Sequence, residues 1–170
     1  LYSVWGMPDG TAVAVGGGLP GRTDTAVIIH FDGQQWTRAD ASHVATKTLR
    51  GVWGSAGLYW AVGDDGAITH FDGEAWVPSP SRVSDRLSGI HGVSRTEIVA
   101  VGGTGRGLVL RWNGSSWLPF DEPANSLQSA WTNSDRALYV AGDAGFMARY
   151  TRLDGVPAAE HIESTVPFPH

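Results

Sequence analysis

One unit is written four times in this chain of 170 residues. Its opening phrases are "LYSVWG" at Leu1, "LRGVWG" at Leu49, "LSGIHG" at Leu87 and "LQSAWT" at Leu127. A second phrase follows each: "VAVGG" at Val13, "WAVGD" at Trp60, "VAVGG" at Val99 and "YVAGD" at Tyr139. A third ends in a turn, as "IIHFDGQQW", "ITHFDGEAW", "LRWNGSSW" and the degenerate "RYTRLDG". A period of about 40 residues over a whole chain means that one supersecondary unit is stacked on copies of itself.

Each unit reads as four short strands. In unit two, the first (A) is Leu49 to Trp53, with the alternation of a strand, and the second (B) is Leu58 to Val62. "GDDG" at Gly63 to Gly66 is a hairpin turn, because Asp and Gly tolerate the positive φ such turns require. The third strand (C) is Ala67 to Phe71, "DG" at Asp72-Gly73 makes the next hairpin, and the fourth strand (D) carries Trp76. No segment has a helical period. Four-stranded units at this spacing predict an all-β propeller with blades over about 1–48, 49–86, 87–126 and 127–166. The small residue within each A strand (Ser3, Gly51, Gly89, Ser129) fits innermost strands crowded around a central channel.

The phrase "LRGVWGSAGLYWAVGDDGAITHFDGEAW" resembles the repeats of large secreted or surface-attached bacterial propeller proteins. That resemblance covers all four units and implies a propeller fold and an extracellular or surface setting. More distantly, the hairpin phrase is similar to the Asp-box of sialidases, Ser-x-Asp-x-Gly-x-x-Trp. Here Gly-x-x-Trp is kept, Asp directly precedes Gly, and the leading Ser is absent.

Propellers usually have four to eight blades. Four repeats therefore close alone, form part of a larger ring, or pair with a second copy to make eight blades. Unit one begins at strand A, and "VPAAEHIESTVPFPH" must supply strand D of unit four. No strand is left over for exchange between the first and last blades, which favours a fragment or an assembly. The opening "LYSVWG" lacks a Met or a charged leader, as expected of a processed form or an excised piece.

Composition narrows the partners. Apolar residues make up 42% of the chain, normal for a packed domain, and the 23 glycines are dispersed as many tight turns require. With 17 acidic and 12 basic residues and a net charge of −5, no basic stripe offers itself to nucleic acid. The absence of cysteine excludes disulfides and thiol catalysis. No apolar run approaches the ~18 residues of a membrane span.

Chemistry-bearing residues mostly follow the repeat. His30, His70, Arg111 and Arg149 share one position, either as four anion sites or as a half-exposed strand position suited to a long polar side chain. Trp5, Trp53 and Trp131 end strand A, with His91 in the fourth place, while Trp36, Trp76 and Trp117 stand in strand D. Such rings either stack on sugars or fill the wedge between blades, and wedge filling explains their period at once. Catalysis needs unlike residues converging, whereas a repeat supplies like ones. The six histidines offer no ligand pair at zinc spacing, and most acids are turn residues, so no catalytic residue, metal or cofactor is expected.

Function is expected where the units differ. The residue after each A-strand leucine (Tyr2, Arg50, Ser88, Gln128) changes in every unit and should lie at the channel mouth. Unit one alone has a long B–C connection, "GGGLPGRTDT", carrying Arg22 and Asp24. The D–A connections "ADASHVATKT", "SPSRVSD" and "DEPANS" also differ, and in a propeller they emerge on the B–C face. The resulting expectation is a non-catalytic binding module that presents variable loops to protein or glycan, with homo-oligomerisation as a way to complete the ring. Two alternatives stand beside it: part of a sialidase-like or lyase-like enzyme, and a half-propeller that closes by self-assembly.

Overall fold

The computed structural model describes residues 1–19, 22–40, 47–135, 137–151 and 159–161, with backbone alone at 18–19, 22–25 and 159–161. These residues form four antiparallel four-stranded sheets, each taking its strands in chain order from one repeat. The first holds β1 (Ser3–Gly6), β2 (Ala12–Leu19), β3 (Arg22–Phe31) and β4 (Trp36–Arg38). The second holds β5 (Leu49–Ser55), β6 (Leu58–Gly63), β7 (Ile68–Phe71) and β8 (Trp76–Pro78). The third holds β9 (Leu87–Ser94), β10 (Glu97–Gly102), β11 (Leu108–Trp112) and β12 (Trp117–Asp121). The fourth holds β13 (Leu127–Thr132), β14 (Leu138–Gly142), β15 (Met147–Tyr150) and β16 (Ala159–His161). Among the described residues no helix is long and apolar enough to cross a membrane. The fold is an all-β propeller arc.

The repeated turn phrases act through their acids. Asp32 Oδ1 accepts the backbone N–H groups of Gln34 and Gln35, both at 2.8 Å, and Asp72 Oδ1 does the same for Glu74 and Ala75 at 2.9 Å. Asn113 replaces Asp in the third unit and holds Ser115 and Ser116 at 3.0 and 2.9 Å. The next residue in each turn has positive φ (Gly33 97°, Gly73 113°, Gly114 96°), which only glycine adopts without strain.

The glycine ending strand B answers to close approach instead. A Cβ on Gly63, Gly102 or Gly142 would lie 2.1, 2.0 or 2.1 Å from the carbonyl oxygen of Thr48, Arg86 or Ser126. The chain entering each A strand crosses the end of its own B strand there, and this fixes the glycine of the "AVG" phrase. Between blades, a Cβ on Gly51 would meet Ser88 O at 3.1 Å and Gly89 Cα at 3.3 Å, and one on Gly89 would meet Gln128 O at 3.0 Å. The inner strands β1, β5, β9 and β13 therefore lie side by side in chain order, each against the next.

Strand alternation gives each blade two faces. Sheet two turns Val52, Tyr59, Ala61, Phe71 and Trp76 toward sheet one, and Trp53, Trp60, Val62 and Ile68 toward sheet three. Three apolar cores result, between sheets one and two, two and three, and three and four. Among the described residues no fourth core joins sheet four back to sheet one.

Two expectations need correction. The long connection of unit one is largely strand: β2 and β3 stay paired through Gly17↔Ala26 to Leu19↔Arg22. Thr23 and Thr25 are β-branched at alternate positions, which suits an extended hairpin arm. Trp36 and Trp131 do not fill a wedge. They are 48% and 51% exposed because, among the described residues, no blade covers those faces, whereas Trp53, Trp76 and Trp117 are at most 3% exposed.

Candidate functional site

The inner strands bring Tyr2, Arg50, Ser88 and Gln128 to one polar cleft of ≈ 270 Å³. Ser3, Gly51, Gly89 and Ser129 line it between them, and the smallness of Gly51 and Gly89 lets the strands approach. Ser3 also ties blades together, since its Oγ accepts the Val52 N–H at 3.2 Å.

Two of the four variable positions, Arg50 and Gln128, pair with turn carboxylates. Arg50 forms a bidentate pair with Asp64 of the β6–β7 turn, Nε to Oδ1 at 2.5 Å and Nη2 to Oδ2 at 3.0 Å. That pairing holds the guanidinium above its usual pKa, against partial desolvation. The Arg50 guanidinium also lies 5.4 Å from the centre of the Tyr2 ring, within cation–π range. Gln128 Nε2 donates to Asp143 Oδ1 at 2.9 Å, the equivalent acid of unit four. Unit three has "GTGR" where these turns carry Asp, and the Ser88 hydroxyl is buried there with no hydrogen-bond partner.

The connections emerge on the same side. Ser81 of the second D–A connection donates to the Gly66 carbonyl at 2.7 Å, and Ser126 of the third accepts the Gly105 N–H at 2.8 Å. Residues 41–46 of the first D–A connection lie outside the described residues, as do the side chains of Arg22 and Asp24. Arg22 and Asp24 belong to β3 rather than to a loop.

The shared basic position is built into the interfaces. His30 Nε2 accepts the Trp76 indole N–H at 2.9 Å across the first one. His70 stacks on Trp60 with centroids 4.6 Å apart. Burial pushes the pKa values of His30, His70 and His91 down, so each favours the neutral form. Among the described residues no three His, Cys, Asp or Glu gather to hold a metal. The cleft offers hydrogen-bond donors and acceptors, with its two turn carboxylates already engaged.

Sequence reasoning missed Asp64 and Asp143 as partners of the cleft, although "GDDG" and "GDAG" stand at the same place in units two and four. It also missed a second concavity, an apolar groove of ≈ 540 Å³ on the uncovered face of sheet one, where Leu1, Val4, Ile29 and Trp36 meet.

No family model and no curated protein matches the chain. Among solved structures it is similar to YCF48 bound to D1 peptide, at 15% identity with a TM-score of 0.70. The match covers 97% of this chain and 55% of that one, so the chain spans about half the length of this structural relative. At such identity the likeness is one of fold.

Proposed function

We propose that this chain is a non-catalytic recognition module that holds an extended segment of another protein across the polar cleft. The observation that carries this reading is the Arg50 guanidinium at the cleft, which keeps N–H groups beyond the two given to Asp64, so a peptide carboxylate or carbonyl finds a charged donor there. The structural relative was solved with a peptide, which agrees with this use of the fold. A setting outside the cell, secreted or on its surface, is part of the proposal and is supported by the resemblance in the repeat phrases alone.

The test is a random dodecapeptide library panned against the protein, followed by calorimetric titration of the enriched peptides. Arg50→Ala should weaken binding about tenfold, as loss of a charge-assisted hydrogen bond does. Peptides that bind Arg50→Ala and Ser88→Trp as tightly as the parent protein would remove the cleft from the account. Retention on a glycan array instead would move the reading to carbohydrate.

A further inference from the structure

The hairpins that join the third and fourth strands of the first three blades close on one side-chain oxygen each, and its chemistry differs in the third. Asp32-Gly33 and Asp72-Gly73 offer a carboxylate, whereas Asn113-Gly114 offers an amide. Asn113 Oδ1 accepts the backbone N–H of Ser115 at 3.0 Å, that of Ser116 at 2.9 Å and the Ser115 hydroxyl at 3.0 Å. In the equivalent turns the N–H groups of Gln35 and Gln34 hold Asp32, and those of Ala75 and Glu74 hold Asp72, below the usual carboxylate range. The turn thus favours a full negative charge at this oxygen. Of the three, only the third leaves the position neutral.

Asn113 also has the parts of an intramolecular acyl transfer. Its Cγ is the electrophile, and the Gly114 nitrogen, next along the chain, is the nucleophile. That N–H makes no hydrogen bond among the described residues, and glycine sets no Cβ beside it. The three donors on Oδ1 stand where negative charge develops as the nitrogen attacks, which is the work of an oxyanion hole. Asn113, Gly114 and Ser115 are all exposed, so water reaches them.

We propose that Asn113 is a self-modification site, where the side-chain amide is lost through a cyclic imide and replaced by a carboxylate. Gly114 N bonds to Asn113 Cγ, the Cγ–Nδ2 bond breaks, and Nδ2 leaves as ammonia carrying the proton of the Gly114 N–H. Water then opens the imide. Addition at Cγ breaks the new bond and leaves aspartate, which makes the third hairpin the same Asp-Gly turn as the first two. Addition at the main-chain carbonyl carbon leaves isoaspartate, which lengthens the backbone by one methylene and shifts the carboxylate away from Ser115 and Ser116. The other two asparagines serve as internal references, since Asn125 and Asn133 precede serines. Asn133 Oδ1 is itself held by the N–H groups of Asp135 and Ala137, both at 3.1 Å, so it separates the effect of the glycine from that of the donors. This inference is independent of the peptide cleft.

The 170-residue chain, kept folded in mildly alkaline buffer, should gain one negative charge on isoelectric focusing. Peptide mapping by mass spectrometry should place the change at Asn113, at least about tenfold faster than at Asn125 or Asn133, a barrier difference of roughly 1.4 kcal/mol. Ser115→Ala removes one donor from Oδ1 and should slow the conversion several-fold, as loss of an ordinary hydrogen bond does. Asn113→Asp should melt at or slightly above the temperature of the parent protein. An Asn113 that stays intact, or that converts no faster than the other two, would overturn the inference. An unchanged rate in Ser115→Ala would overturn the role given to the donors, and a clearly lower melting temperature in Asn113→Asp would overturn the equivalence of the three turns.

Discussion

Trp36 and Trp76 stand in the same place in nearly the same phrase, "HFDGQQW" and "HFDGEAW". Trp76 is closed between two sheets, its indole N–H held by His30, while Trp36 lies open on the first sheet. The difference owes nothing to the hairpin, since Asp32 and Asp72 hold their turns with the same two backbone bonds. Sheet one packs on Trp76, and among the described residues no sheet packs on Trp36. In a repeat fold, local sequence sets the shape of a unit, and the neighbour decides whether a residue is core or surface.

The largest effect should therefore separate these two tryptophans. Trp76→Ala empties a closed wedge and should cost about 3–5 kcal/mol of unfolding free energy at any protein concentration. Trp36→Ala should change the stability of the dilute protein by less than about 1 kcal/mol, as an exposed substitution does. Equilibrium denaturation of the two variants reads both effects.

Much of this was legible beforehand. Four openings on Leu, three "AVG" phrases with a fourth written "VAG", and three Gly-x-x-Trp hairpins specify strands, turns and blades, because each answers to a local steric demand. Gly63 needs room beside the Thr48 carbonyl, and Gly33 needs a positive φ. The cleft positions were legible as well, since Tyr2, Arg50, Ser88 and Gln128 share one register place and register fixes direction. Pairing was not legible. That Arg50 finds Asp64 while Ser88 finds nothing depends on which turn lies above each residue. The paired arms around Arg22 were hidden by glycine and proline, which read as a loop where the strands run on. Nor does any residue in "HFDGQQW" announce that its face is uncovered.

A smaller effect follows from the interior histidines. Burial lowers the pKa values of His30, His70 and His91 from 6.5, so the unfolded chain binds more protons than the folded one just below that pH. Stability is then full above pH 6.5 and falls as the pH drops toward the lowered values. His30→Gln, whose amide oxygen can still accept the Trp76 indole, should reduce that slope in denaturant titrations between pH 7 and 5. An unchanged slope would take His30 out of the first interface.

The smallest contrast is a control. Asp32→Ala and Asp72→Ala each remove the same turn bonds, on an uncovered and a covered blade, and both carboxyls are held below their usual pKa by those bonds. Each should lower the melting temperature by a similar small amount. At neutral pH the loss should match in the two, because the turns are exposed in both blades. Unequal losses would mean that the neighbouring blade reaches the hairpin tips as well.

The most direct measurement of the central claim is hydrogen exchange at the tryptophan indoles of the 170-residue chain, followed by NMR in dilute protein. Trp53, Trp76 and Trp117, closed between sheets, should exchange slowly, and Trp36 and Trp131 fast. Protection of Trp36 and Trp131 equal to that of Trp76 would contradict the account.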